Sequence, residues 1–297
     1  MKNKDTIQNF IFESLPVRGE IVHLNATFQE IMEKHQYPPI IRRWLGEALV
    51  LVALLSTLVK FSGKIAIQFQ GKGKFNLLLV QCTNELELRG LAQWEGEDIT
   101  EEEILASLQQ GNIIITIDQE NANQRYHGIV AWQGKTLAES IEGYFKDSEQ
   151  LLTRIWVEVD EHSASGFLLQ RIPEKAVRRE SSLDHDWEHI NYLTATLTPH
   201  ELTHLDNKVL LHRLYVEEDV RIFDERHVMF KCACSEKRSA NAILTMGRAE
   251  AEEELQAKKE IVVKCEFCNH EYIFDRVDVA AIFHSQSDEY TSSGQVH

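Results

Sequence analysis

Four cysteines in two close pairs constrain this chain more than any other feature. Cys232-Ala-Cys234 is followed, after thirty residues, by Cys265-Glu-Phe-Cys268. Tetrahedral zinc takes four thiolates at about 2.3 Å, and two close pairs on two turns supply them while closing a single long loop. So small a unit has few core residues of its own, and bound metal would contribute much of its folding free energy, on the order of 10 kcal/mol or more by analogy with zinc-finger peptides. Two readings stay open from the residues alone: a permanent structural zinc site, or one that responds to oxidants. The first pair is C-x-C, one residue tighter than the C-x-x-C of zinc ribbons, so its sulfurs are held close and ready to join if metal leaves. Lys231, Lys237, Arg238 and Lys264 flank the pairs, and positive charge favours the thiolate that oxidants attack. No βαβ pattern surrounds the cysteines, which argues against a thioredoxin-like oxidoreductase.

The fifth cysteine, Cys82, ends an apolar run and reads as a small buried hydrophobe. Five cysteines in 297 residues are too few for a disulfide scaffold, and the expected home is a reducing cytoplasm. The start, MKNKDTIQNFIFESL, has no apolar h-region and predicts no secretion. The most apolar stretch, Ala48 to Val59, is 12 residues long, against about 20 for a bilayer span, and predicts a buried helix. Thirty-one Lys plus Arg face 47 Asp plus Glu, a balance of -16. That excess of negative charge argues against nucleic acid and anionic membranes as partners.

Periodicity divides the chain into an α+β core over residues 1–173, a helical middle segment over 174–225, a four-cysteine unit over 226–284 and a disordered tail over 285–297. In the core, Ile40 to Lys60 reads as one buried helix opened by Pro38 and Pro39. Ile65 to Phe69 and Phe75 to Cys82 flank a Gly71-Lys-Gly-Lys turn, the pattern of a hairpin. Strands are further expected at Leu86 to Trp94, Ile113 to Ile117, Tyr126 to Trp132, Ile155 to Val159 and Phe167 to Ile172, with helices at Thr100 to Leu108 and Thr136 to Leu152. The sum is a mixed or antiparallel sheet domain with helices. From Glu174 to Glu225 there are 6 basic and 12 acidic residues together with five of the 13 histidines, on two short amphipathic helices broken at Thr198-Pro199. Such a segment is expected to stay folded only while docked. Gly247 to Glu260, between the cysteine pairs, reads as a further helix.

Other motifs fall to simpler readings. Gly134-Lys-Thr is no phosphate loop, since five residues rather than four separate Gly128 from Gly134; it is a turn before a helix. His185/His189 and His200/His204 have metal-compatible i,i+4 spacing but lack the H-E-x-x-H arrangement, and exposed helix histidines account for them. No G-x-S-x-G elbow or distinctive carboxylate pair is present, so no catalytic residues are assigned.

With its cysteine spacing, Phe230-Lys-Cys-Ala-Cys-Ser followed by Val263-Lys-Cys-Glu-Phe-Cys-Asn-His-Glu-Tyr-Ile-Phe resembles the zinc domain of the thirty-three-kilodalton heat-shock chaperone family, also called the HslO family. The similarity extends through Val17-Arg-Gly-Glu, Tyr37-Pro, Leu45-Gly-Glu, Lys60-Phe-Ser-Gly, Tyr126-His-Gly-Ile-Val, Ser148-Glu-Gln-Leu-Leu-Thr-Arg and Arg213-Leu-Tyr-Val-Glu-Glu. The resemblance implies a redox-regulated, ATP-independent holdase rather than an enzyme. It implies that Cys232, Cys234, Cys265 and Cys268 hold one Zn2+ when reduced and form Cys232-Cys234 and Cys265-Cys268 disulfides when oxidised, with zinc release. The implied partners are unfolding client proteins, a second copy of the chain in the active form, and ATP-dependent foldases downstream. The alternative is a constitutive binding module with a purely structural zinc site.

Overall fold

A computed structural model describes the backbone of residues 4–119, 125–173 and 180–292, with side chains described for all of these except 180–183 and 285–292. The chain forms two compact units, Met1–Lys231 and Cys232–His297.

The first unit is built around one helix. Strands β1 (Thr6–Phe12) and β2 (Val17–Leu24) form an antiparallel pair, followed by α1 (Ala26–Glu33) and α2 (Pro39–Leu58). Pro39 stands in the first turn of α2, where its missing N–H costs nothing. From Ala48 to Leu54 every α2 side chain is fully buried. A helix apolar all round must be covered all round, and here two sheets do it. One contains β3 (Gly63–Gln70), β4 (Phe75–Thr83), β5 (Glu87–Trp94), then, beyond α3 (Glu101–Gln110), β6 (Asn112–Gln119) and β7 (Arg125–Val130). The expected Gly71–Lys74 turn joins β3 to β4 in an antiparallel hairpin. Thr100 and Glu103 form the anticipated capping box on α3. The other sheet contains β1 and β2 with, after α4 (Leu137–Ser148), β8 (Thr153–Val159) and β9 (Ala164–Arg171), in the order β1-β2-β9-β8. Gly166 of β9 lets this sheet lie close to α2: a Cβ there would stand 2.3 Å from Val50 Cγ1.

Strand parity sends this second sheet into two cores. Ile7, Val22, Leu24, Ala164 and Leu168 face α2, while Phe10, Phe12, Val17, Ile21, Phe167 and Leu169 face away from it. The outward row is covered by the middle segment, through Ile190 of α5 (Glu180–Thr194), Leu202 of α6 (Pro199–His204), and Leu210, Leu211 and Leu214 of α7 (Asn207–Leu214). Phe12 and Tyr215 meet edge to face at 4.9 Å.

Three expectations are corrected. Three helices, not two, follow residue 180, because Asp206 caps a new helix by accepting from Lys208 N and breaks the leucine spacing that the sequence runs together. The four-cysteine unit begins at Cys232 rather than Arg226. The intervening residues belong to core sheets: β10 (Val220–Ile222) and β11 (Arg226–His227) pair with β1, and β12 (Met229–Phe230) pairs in parallel with β5. The tail expected to be disordered from Ser285 is helical to Ser292, and residues 293–297 lie outside the described part.

The second unit contains α8 (Glu236–Met246), α9 (Arg248–Lys258), the hairpin β13 (Ile261–Lys264) and β14 (Glu271–Phe274), and α10 (Arg276–Ser292). The anticipated helix between the pairs is α9; α8 was not anticipated. The buried apolar residues of its described part are Ile243, Ala251, Leu255, Ile261, Phe274 and Val279.

Candidate metal centre

Two local devices bring the cysteines together. Cys232 and Cys234 lie on irregular chain just before α8, whose first turn is capped by Ser235 Oγ accepting from Arg238 N at 3.3 Å. The Arg238 guanidinium donates to the Ala233 carbonyl between them and holds the C-x-C segment. Cys265 and Cys268 sit in the turn between β13 and β14. There Asn269 N donates to Cys265 O at 2.8 Å and Cys265 N donates to His270 O at 2.9 Å. Asn269 takes a left-handed conformation (φ 59), which closes the turn and which asparagine tolerates better than most residues.

All four sulfurs lie within 4.8 Å of one another, and each residue is half-buried. Cys232 Sγ is 3.6 Å from Cys265 Sγ, and Cys234 Sγ is 3.6 Å from Cys268 Sγ. A tetrahedral tetrathiolate with metal–sulfur bonds of about 2.3 Å has sulfurs roughly 3.8 Å apart. The donor set and spacing therefore fit one tetrahedral, thiophilic ion, and among the described residues no other group of three or more His, Cys, Asp or Glu is gathered in this way.

The electrostatics point the same way. Burial, with the other three sulfurs close by, pushes the Cys268 thiol up to about 12, and burial raises Cys232 as well. Burial also opposes ionisation of Cys234, but a hydrogen bond from Tyr272 and donation from the neighbouring thiols outweigh it and draw that thiol down. Four sulfurs so placed cannot all be anionic unless a cation joins them. Tyr272 Oη donates to Cys234 Sγ at 3.2 Å. Sequence reasoning looked instead to the flanking cations, yet Lys231 pairs with Glu87, Lys264 lies 3.7 Å from Glu271 and Arg238 serves a backbone carbonyl. The overlooked signal was an aromatic hydroxyl on the strand returning from the second pair.

The other candidates do not converge on a site. The His200 and His204 rings stack in parallel at 4.3 Å, an arrangement that does not aim both nitrogens at one point. His189 Nε2 lies 2.9 Å from Glu218 Oε1. Cys82 is fully buried in the core around α2, where burial pushes its thiol up to about 12. Gly134 (φ 67) leads into α4, capped by Thr136, as a turn before a helix should.

The comparisons agree with this geometry. The family model described as Hsp33 protein matches residues 5–275. A protein named 33 kDa chaperonin from Pseudomonas syringae pv. syringae is 42% identical over 283 residues, covering 95% of this chain and 94% of its own. Its namesake from Shewanella sp. is 41% identical over 282 residues, covering 94% and 96%. The crystal structure of the 33 kDa chaperonin of Thermotoga maritima superposes with a TM-score of 0.78 over 96% of this chain and 100% of that one, at 20% identity, so the fold is shared. The chain belongs to the Hsp33 family, a family of chaperones. Among the described residues no helix is long and apolar enough to cross a membrane.

Proposed function

We propose that this chain is an ATP-independent holdase chaperone, quiet while Cys232, Cys234, Cys265 and Cys268 hold one Zn2+ and activated when an oxidant converts them to disulfides. The observation that carries the reading is the four-sulfur cluster set in a unit whose own apolar core is so small. Zinc bound there, worth on the order of 10 kcal/mol, would equal the whole stability of an ordinary domain, about 5–15 kcal/mol. Each disulfide takes two electrons from two thiolates, and hydrogen peroxide with two protons accepts them as two waters. The metal, left without its ligands, departs, and the second unit unfolds.

Unfolding then reaches the middle segment, whose short helices α5 to α7 are held on their sheet by a few apolar side chains and by polar contacts such as Asn207 to Gln8. Their release uncovers Phe10, Phe12, Val17, Ile21, Phe167 and Leu169 and frees a flexible amphipathic chain, both suited to unfolding clients. The active form dimerises and hands its clients to ATP-dependent foldases after reduction. A cytoplasm that is ordinarily reducing keeps the switch off.

The test is to treat zinc-loaded protein with hydrogen peroxide at mild heat, or with hypochlorite, and to follow zinc release, circular dichroism and the aggregation of a thermally unfolding client together. Zinc release with concurrent suppression of aggregation is expected. Release without suppression overturns the chaperone switch, and equal suppression before oxidation favours a constitutive binder with structural zinc. Peptide mapping of the oxidised protein should find Cys232-Cys234 and Cys265-Cys268. Sulfurs also approach to 3.6 Å across the pairs, and a linkage of Cys232 to Cys265 would staple the unit shut instead of loosening it.

A further inference from the structure

We propose that Tyr272 sets the oxidant threshold of the four-cysteine centre by hydrogen-bonding the Cys234 sulfur. The inference rests on the redox reading above and assigns its regulation to a named side chain. Tyr272 stands on β14 opposite Val263, and its ring is held by contact with the second unit's apolar cluster and by the edge of His270, with ring centroids 4.6 Å apart. That support aims the hydroxyl at Cys234 Sγ, 3.2 Å away.

A hydroxyl that donates to a thiolate shares the sulfur's charge, and a charge-assisted bond of this kind is stronger than a neutral one. The lone pair that shares this charge is the one that must attack the peroxide oxygen. In that step sulfur donates an electron pair to one oxygen, the O–O bond breaks, hydroxide leaves, and a sulfenic acid forms. A second cysteine thiolate then attacks the sulfenic sulfur, expels a second hydroxide and closes the disulfide; both hydroxides are protonated to water. A sulfur whose charge is shared in this way is a weaker nucleophile and attacks the peroxide more slowly. Tyr272 thereby restrains Cys234 at resting oxidant levels without blocking it. Groups of this outer kind orient and tune metal ligands generally.

The experiment uses the full-length, zinc-loaded chain and hydrogen peroxide in excess, with zinc release followed by a chromogenic chelator. For Tyr272→Phe, which keeps the ring, the release rate measured above the variant's own peroxide-free loss should rise about threefold. Placing 3-fluorotyrosine at position 272, a stronger donor, should slow the peroxide-dependent rate. A merely structural role does not produce opposite signs from two substitutions that both keep the ring. An unchanged rate in both variants overturns the assignment, as does an equal rise in the rates with and without peroxide. If the wild type holds no zinc, or keeps it under peroxide, the redox reading falls and the assignment falls with it. If the wild type releases zinc and the variants match it, only the role of Tyr272 falls.

Discussion

The two units solve the same problem with different means. The first wraps α2 between two sheets and buries residues such as Leu49, Leu51 and Leu54 completely. In the second, Ile243, Leu255, Ile261 and Phe274 form a thin apolar layer beside four sulfurs. Apolar burial is spread over many contacts, so losing one weakens the fold in proportion. A single ion concentrates the stability in one place, where it can be withdrawn in one step. A chain that joins both kinds of unit can lose one and keep the other.

The sharpest way to break this contrast is to remove the ion. Cys265→Ser, or chelation under reductant, should leave the second unit unfolded, a loss on the order of 10 kcal/mol. Calorimetry or hydrogen exchange would check it: protection should vanish from β13 and β14 and persist in β3 and β4. Next in size, Leu51→Ala should cost the first unit about 2–5 kcal/mol, read as a lowered denaturant midpoint with zinc affinity unaltered.

A third prediction concerns acid. His23 is buried between Ser165 Oγ at 3.0 Å and Asn207 Oδ1 at 2.8 Å; Asn207 in turn donates to Gln8 Oε1 at 2.9 Å. This relay ties the first turn of α7 to the sheet. Burial holds His23 below the usual histidine range; its hydrogen bond with Asn207 and the Glu225 and Asp206 carboxylates pull upward, and Lys4 pushes further down. The unfolded chain takes up a proton near pH 6.5 that the folded chain refuses, so stability present above that pH is lost as pH falls below it, by up to about 1.4 kcal/mol per pH unit. Hydrogen-exchange protection factors across α7 should fall between pH 7 and pH 5, and His23→Gln should flatten that dependence.

The smallest effect sharpens the comparison most finely. Thr100→Ala and Ser235→Ala each delete a helix cap worth about 1 kcal/mol. The same loss should move the second unit's melting point further than the first's, because the smaller unit has the smaller unfolding entropy. Equal shifts in differential scanning calorimetry would mean that the second unit draws its stability from more than the metal and its thin core.

The core helix, the β3–β4 hairpin and the four-sulfur set were legible because each announces itself locally: an unbroken apolar run, a glycine turn between alternating strands, a fixed spacing of one reactive residue type. β1 and β2 were not. Both faces of their sheet are covered, so buried positions there include Gln8, Glu20 and His23 and the alternation disappears. Glu20 is the extreme case, a carboxyl whose burial lifts it to about 7 while Thr57 and Asn9 satisfy its oxygens. Nor could the sequence place β11 and β12, two residues each, whose pairing is decided by strands more than a hundred residues away. Tyr272 escaped for a related reason, since its partner, Cys234, lies far back along the chain and only the folded unit brings the two together.

β12 has a mechanical meaning. Its grip on the core sheet is a two-residue parallel pairing at an edge, fixed by Met229 N donating to Leu86 O at 3.1 Å and Lys231 N donating to Leu88 O at 3.0 Å. Cys232 follows at once. Two residues long, β12 is the shortest of the six strands in its sheet, so its release breaks the fewest ladder bonds and the chain that runs on into Cys232 is clasped to the sheet by very little.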